Sequence, residues 1–266
     1  MTIRSADWYE NSQFFSMDYI RVDTAFDAQK PKRTELECDG IESLLDKKSK
    51  LKILDCPCGF GRHSIELAKR GHDVTGIDLD PYFLSIAKKA AQRCRIPASF
   101  MRADMRYLQV RGEFDAVINM FWSFGFFKTD AENEQVIRNF YDVLKTNGTF
   151  ILHTDAVIEN FDMRYRSNPD IKIGKKFIDG QFYPEATLRR EEEYDSATRS
   201  IYGTWQIIEK DGTAGRKRHY RARVYSCEEF KDLYKRAGFK AVHLIGDWKE
   251  PFQPHVHEDL IVVGKK

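Results

Sequence analysis

The sequence predicts an α/β fold: a seven-stranded, mostly parallel sheet with helices on both faces, and an antiparallel β insertion after the fifth strand. Three observations predict it. Between Leu51 and Thr154 short apolar runs alternate with helical segments, the rhythm of parallel strands joined by crossover helices. The rhythm then changes to three longer strand-like runs, 188–194, 201–208 and 217–225. A chain of 266 residues is long enough to bury one sizeable core.

The elements follow in order. The first 50 residues read as amphipathic helices carrying Trp8, Tyr9, Phe14, Phe15 and Tyr19. Lys52 to Leu54 is a short apolar strand, and Asp55-Cys56-Pro57-Cys58-Gly59-Phe60-Gly61 is a turn that lets backbone come close to a ligand. Arg62 to Arg70 is helical and stops at Gly71, a residue suited to the left-handed end position. Val74 to Ile77 is the second strand and ends in Asp78. Asp80 caps the next helix, with Pro81 at its first position and Leu84, Ala87 and Ala90 as its apolar stripe. Ser99 to Arg102 and Phe114 to Asn119 are strands three and four. Asp130 caps a helix carrying Val136, Phe140, Val143 and Leu144, and Asn147-Gly148 turns into the fifth strand, Thr149 to Thr154. Ser226-Cys227-Glu228-Glu229 has capping-box spacing, and two final strands lie near 241–245 and 260–263.

Bulk properties exclude several classes. A net charge of +2 argues against nucleic acid as partner. Five cysteines without disulfide-framework spacing, and no secretory segment, point to a reduced, cytoplasmic protein. No apolar run reaches transmembrane length. The aromatic surplus, 19 Phe, 12 Tyr and 4 Trp, suits a pocket for an organic substrate. Oligomeric state is open, a homodimer included.

A ligand lying across the first turn would meet Asp78 with its ribose, since both features sit at the carboxyl ends of adjacent parallel strands. This outlines a nucleoside-cofactor site. With Asp55 to Gly61, Val74 to Asp80, Arg102 to Arg106 and Asn119 to Trp122 in this order, the chain resembles the class I S-adenosylmethionine-dependent methyltransferases. It is most similar to the small-molecule members of the glycine and sugar-amine N-methyltransferase type. The resemblance covers about Leu51 to Lys266 and implies a Rossmann-like domain over 51–266 with its insertion at about 160–225. It also implies a helical lid over residues 1–50.

The resemblance implies roles residue by residue. Asp55 would face the ammonium group of the cofactor, S-adenosylmethionine, with Cys58, Gly59 and Gly61 lining the turn. Pro57 stands where the family has its first glycine, which makes the turn stiffer. Asp78, followed by Leu79, matches the ribose-binding acid. Asp104 and Met105 match the adenine edge. Asn119 starts the segment under the methyl group. Tyr19 and Arg33 lie in the region that folds over the cofactor, where its carboxylate needs a cation. Tyr9, Trp122, Phe126 and Asp155 are candidate substrate contacts. His153 is the candidate base or acceptor-orienting group, with a buried structural histidine as the equal alternative.

The implied activity is metal-independent, in-line methyl transfer to a nitrogen or oxygen of a small organic substrate. Competing readings are intramolecular cyclisation of the same cofactor, a binding module without catalysis, and an RNA methyltransferase resting on the basic run 216–223. A nicotinamide turn would need its third glycine at Ser64. Cys56 and Cys58 read as small buried residues rather than ligands or nucleophiles, and His255 and His257 as loop histidines rather than metal ligands.

Overall fold

The computed structural model describes residues 14–29, 32–45, 49–109, 113–160, 170–178 and 180–266. Tyr9 lies outside them. The strands are β1 (Lys52–Asp55), β2 (Asp73–Asp78), β3 (Ser99–Arg102), β4 (Phe114–Asn119), β5 (Leu144–Thr154), β6 (Asp170–Ile173), β7 (Lys176–Ile178), β8 (Gln181–Tyr183), β9 (Ala186–Asp195), β10 (Ser200–Glu209), β11 (Arg218–Arg223), β12 (Ala241–Gly246), β13 (Glu250–Pro251) and β14 (Leu260–Lys265). The helices are α1 (Met17–Gln29), α2 (Arg33–Leu45), α3 (Arg62–Lys69), α4 (Pro81–Cys94), α5 (Asp130–Val143) and α6 (Cys227–Ala237).

Contacts divide the chain into two units. The larger comprises Thr34–Gly125, Thr129–Arg164 and Tyr225–Lys266. Its sheet runs β13-β12-β14-β5-β4-β1-β2-β3, with β1 to β5 parallel and β14 antiparallel to β5. The sheet therefore has eight strands where seven were expected. The extra one is β13, two residues paired to β12 at the edge, too short and too proline-bound to show alternation in sequence.

Apolar side chains from α2 (Cys38, Ile41, Leu45) and α3 (Leu67, Ala68) bury with Ile53, Val74, Ala116, Ile118, Ile151 and Ile261 of the sheet. Phe150 of β5 turns its ring the other way and stacks on Tyr234 of α6, centroids 5.0 Å apart. Successive strand residues face opposite layers, so Ile151 and His153 share the α2 side.

Helix starts follow capping chemistry. The Asp80 carboxylate accepts the N–H groups of Tyr82 and Phe83, and Ser226 and Glu229 form the expected box on α6. For α5 the cap is Thr129, not Asp130: the hydroxyl accepts Glu132 N–H while the Glu132 side chain returns to Thr129 N–H, leaving Asp130 inside the first turn. Asn147 (φ 63°) lies within β5 rather than before it, where Lys266 closes against Gly148.

The smaller unit comprises Met1–Arg33, Phe126–Lys128 and Tyr165–Val224. Its antiparallel sheet runs β11-β10-β9-β6, with a separate β7-β8 hairpin. Phe14 packs on Trp205 and Tyr220 at 4.7 and 4.9 Å. The basic run is spent internally: Arg218 pairs with Asp18 at 2.6 Å, Lys217 with Glu191 at 2.6 Å, and Arg221 donates to Ser200 Oγ at 3.0 Å. Among the described residues no helix is long and apolar enough to cross a membrane.

Candidate active site

The site lies where the strand order reverses. β1 has β2 on one side and β4 on the other, so their crossovers leave in opposite directions and a crevice opens beyond the carboxyl ends.

The turn after β1 is stitched to both neighbours. Cys58 N–H donates to Ile77 O at 2.8 Å, and Gly59 N–H to Asp78 Oδ2 at 2.8 Å. Asp78 Oδ1 also accepts Asp80 N–H at 2.9 Å. On the β4 side, Cys56 N–H donates to Ile118 O at 3.0 Å, and Asn119 Nδ2 to Cys56 O at 2.9 Å. Gly59 and Gly61 have φ of 54° and 86°, left-handed values that glycine accepts without a Cβ penalty. A Cβ on Gly59 would meet nothing within 4 Å, whereas one on Gly61 would stand 2.8 Å from Ala87 Cβ. Gly59 faces open space, and Gly61 lets α4 approach.

Two acids lie buried here. Asp55 Oδ2 accepts from Ser64 Oγ at 2.6 Å, while Asp55 Oδ1 and Asn119 Oδ1 are buried without a hydrogen-bond donor. Burial pushes the Asp55 carboxyl up to about 7 against the Ser64 bond. It pushes Asp78 up to about 6 against the N–H groups of Asp80 and Gly59. Asp55 Oδ1 and Asn119 Oδ1 are left short of donors, which a donor-rich ligand supplies. Burial also raises the Cys56 and Cys58 thiols far above their usual range, so both stay protonated packing groups.

The β3 end completes this side. Ala103 N–H donates to Asp78 O at 3.2 Å. Asp104 caps a short 3-10 turn, Met105–Tyr107, and its carboxylate holds the Arg106 guanidinium at 2.7 Å. Arg106 also reaches Glu132 at 2.9 Å. Asn139 Nδ2 anchors Met105 O at 2.9 Å, and Arg102 Nε anchors Leu79 O at 3.0 Å.

The exits of β4 and β5 are built differently. Phe121 and Trp122 both carry positive φ, 57° and 48°. Such conformations cost about 1–3 kcal/mol each unless surrounding contacts impose them. Phe121 N–H donates to His153 Nδ1 at 3.1 Å, and Trp122 N–H to His153 O at 3.1 Å. Asp155 follows β5, half-buried.

A buried ionic group flanks this exit. Glu37 of α2 accepts from His63 Nε2 at 2.7 Å and pairs with Arg62. Arg62 also donates to Thr34 Oγ1 at 3.1 Å and lies 5.7 Å from the Phe121 ring centroid. Burial would raise the Glu37 carboxyl; the His63 hydrogen bond and the positive neighbours outweigh it and hold it far below its usual range.

Of the remaining candidates, Tyr19, Arg33 and Phe126 belong to the smaller unit. Arg33 pairs with Asp23 at 3.1 Å, both buried. Tyr19 stacks on Trp205 with centroids 5.9 Å apart, and Phe126 meets Phe15 at 5.8 Å. His257 is buried, with Nδ1 accepting Gln253 N–H at 2.9 Å, and His255 N–H donates to Asn160 Oδ1 at 2.8 Å.

Residues 53–148, from β1 into β5, match the model of a methyltransferase domain. The chain carries a methyltransferase domain over that span. Across 237 residues it is 28% identical to a glycine/sarcosine N-methyltransferase of Aphanothece halophytica, covering 85% of this chain and 80% of that protein. A second glycine/sarcosine N-methyltransferase, of Parasynechococcus marenigrum (strain WH8102), is 32% identical over 145 residues, 54% of this chain and 50% of that one. The fold is shared with an S-adenosylmethionine-bound amino pentose methyltransferase of Micromonospora echinaspora, at TM-score 0.66 and 20% identity over 92% of this chain and 97% of that one.

S-adenosylmethionine is the methyltransferase's cofactor, and the crevice fits it. Asp55 Oδ1 and Asn119 Oδ1 are bare acceptors for cationic or donor groups, Gly59 leaves a cradle that a Cβ would fill, and Asp78 lies beside it. The sequence pointed to this side and not to Glu37, Arg62 and His63. The signal available was a histidine and an arginine directly after Gly61, at the start of a helix that otherwise buries its apolar stripe.

Proposed function

We propose that the chain transfers the methyl group of S-adenosylmethionine to the nitrogen of a small organic amine. One observation carries the cofactor half of this reading: two buried carboxyls and two donor-less oxygens converge around the open Gly59 turn. The likeness to glycine/sarcosine N-methyltransferases over most of both chains supports the acceptor half.

The cofactor supplies a methyl group already activated on a sulfonium. The chain's part is binding and alignment, and alignment alone is worth roughly 7–11 kcal/mol of barrier. Asp55 and Asn119 hold the amino-acid end, Asp78 the ribose and the Asp104–Met105 segment the base. In this reading Trp122 and Asp155 contribute to the acceptor side. Tyr9, Tyr19, Arg33 and Phe126 remain proposed contacts, while α2, within the expected lid of residues 1–50, packs instead in the core of the larger unit.

The test incubates the protein and S-adenosylmethionine with glycine, sarcosine and amino sugars, and identifies the nucleoside product by mass spectrometry. S-adenosylhomocysteine that forms only with an amine supports the proposal. Methylthioadenosine, formed without any acceptor, replaces it with cyclisation.

A further inference from the structure

The His153 ring is 3% exposed, and each of its edges is engaged. Nδ1 accepts Phe121 N–H at 3.1 Å. Nε2 faces the Asp259 carboxylate at 3.4 Å. One ring face stacks on Trp248, centroids 5.5 Å apart and planes 22° from parallel. A ring nitrogen that accepts a backbone N–H carries no proton, so the hydrogen sits on Nε2, toward Asp259.

The two partners come from the excursion between β12 and β14. Asp259 N–H donates to Asp247 Oδ1 at 3.2 Å, and Asp247 N–H to Asp259 O at 3.3 Å, which closes the excursion at its base. Asp247 and Trp248 carry φ of 46° and 69°, so the chain bends sharply to deliver the indole. The same indole lies against α2 at Gly40, where an added Cβ would stand 2.5 Å from the ring. From α2 to the β4 exit the contact order is Gly40, Trp248, His153, Phe121. Glu37, Arg62 and Phe121 link α2 to the same exit by a second route.

We propose that His153 is a positioning residue, clamped by Trp248 and Asp259, that holds the left-handed Phe121–Trp122 turn in the shape that serves the methyl acceptor. This rests on the methyl-transfer reading for the turn's purpose, not for the clamp itself. The lone pair a general base would use is spent on Phe121 N–H, and the second nitrogen already carries the proton. Burial disfavours the imidazolium; Asp259 foremost, with Glu37 and Asp155, outweighs it and raises the ring above its usual range. A second proton can enter only at Nδ1, and there it displaces the Phe121 contact. Holding the turn and accepting a proton therefore exclude one another.

Two variants separate the roles. His153→Asn keeps an acceptor near the Nδ1 position and cannot act as a base; His153→Ala keeps neither. Deuterium uptake of the 120–125 segment is measured by mass spectrometry, and S-adenosylhomocysteine affinity by calorimetry. We expect uptake in this segment to rise about ten-fold or more in His153→Ala and to return toward wild type in His153→Asn. Cofactor-product affinity should stay within about three-fold of wild type in both. Uptake unchanged in His153→Ala overturns the proposal, as does uptake equally raised in both variants. Should His153→Ala not fold, Asp259→Asn is read instead: faster uptake in 120–125 supports the clamp, and unchanged uptake removes it. Wild-type protein that fails to bind S-adenosylhomocysteine contradicts the methyl-transfer reading alone, since the exchange pattern still reports on the clamp.

Discussion

The two sides of the crevice solve opposite problems. Around the turn after β1, with Asn119 of β4 against it, the polar groups are left over: Asp55 Oδ1 and Asn119 Oδ1 lack donors, Gly59 borders open space, and two carboxyls sit raised toward neutrality. Around β4 and β5 they are consumed: His153, Phe121 and Trp122 bond one another, with Trp248 and Asp259 behind them. Unmet acceptors mark the place that gains by binding. Bonded ones, holding two strained residues, mark the place that keeps a shape. Under the proposed function, the first side grips the cofactor and the second presents a fixed wall to the acceptor.

The largest effect should come from the gripping side. Asp78→Ala removes a carboxylate that would take two ribose hydroxyls at roughly 1.5–3 kcal/mol each, so calorimetry should find S-adenosylmethionine affinity lowered by about 100-fold or more. Unchanged affinity would remove Asp78 from the cofactor side. The two glycines should then part company. Gly61→Ala crowds Ala87 at a φ of 86° and should cost about 2–4 kcal/mol in urea unfolding. Gly59→Ala meets no atom and should cost about 1–2 kcal/mol, yet lose about ten-fold or more in cofactor affinity by filling the cradle. Equal stability losses would dissolve the distinction between a packing glycine and a cradle glycine.

Proton linkage sharpens the contrast. Asp55 and Asp78 rise from 3.8 to about 7 and about 6 in the folded chain. The folded state therefore keeps protons that the unfolded chain releases between about pH 4 and 7. Stability contributed by these carboxyls is greatest at the acid end of that window and falls as pH rises through it. Cofactor affinity should move the other way, weakening by about ten-fold per pH unit per carboxyl below each folded value, because a cation needs the ionised form. Thermal unfolding and calorimetry across pH 5 to 8 should slope in opposite directions, and Asp55→Asn should flatten both. The smallest effect is expected at a cap away from both sides: Thr129→Ala should cost α5 about 1 kcal/mol and leave affinity unaltered.

The gripping side was legible in the sequence because it is local. An acid, two glycines and a second acid fall within 24 residues, at strand ends that apolar runs announce. The parallel strands and the α4 and α6 caps were readable for the same reason. The shaping side is not local. His153 meets Phe121, 32 residues away, and depends on Trp248 and Asp259 from the far end of the chain. A buried histidine on a strand looks alike as base or brace until its lone pair is located. Gly40 in the middle of a helix was the trace of Trp248, readable only once the indole was in place. The eighth strand and the Thr129 cap were missed for smaller reasons. Two residues carry no period, and Thr and Asp in succession compete for one cap.

Under the proposed function, Asp55 and Asp78 bind the cationic cofactor in their ionised form and so give up protons. Titration calorimetry of S-adenosylmethionine at pH 6.5, in two buffers of different ionisation enthalpy, measures this directly. Binding should be saturable with a heat that depends on the buffer, and net proton release should fall toward zero at pH 8 and be reduced in Asp55→Asn. Absence of binding, or binding with no release at pH 6.5, would contradict it.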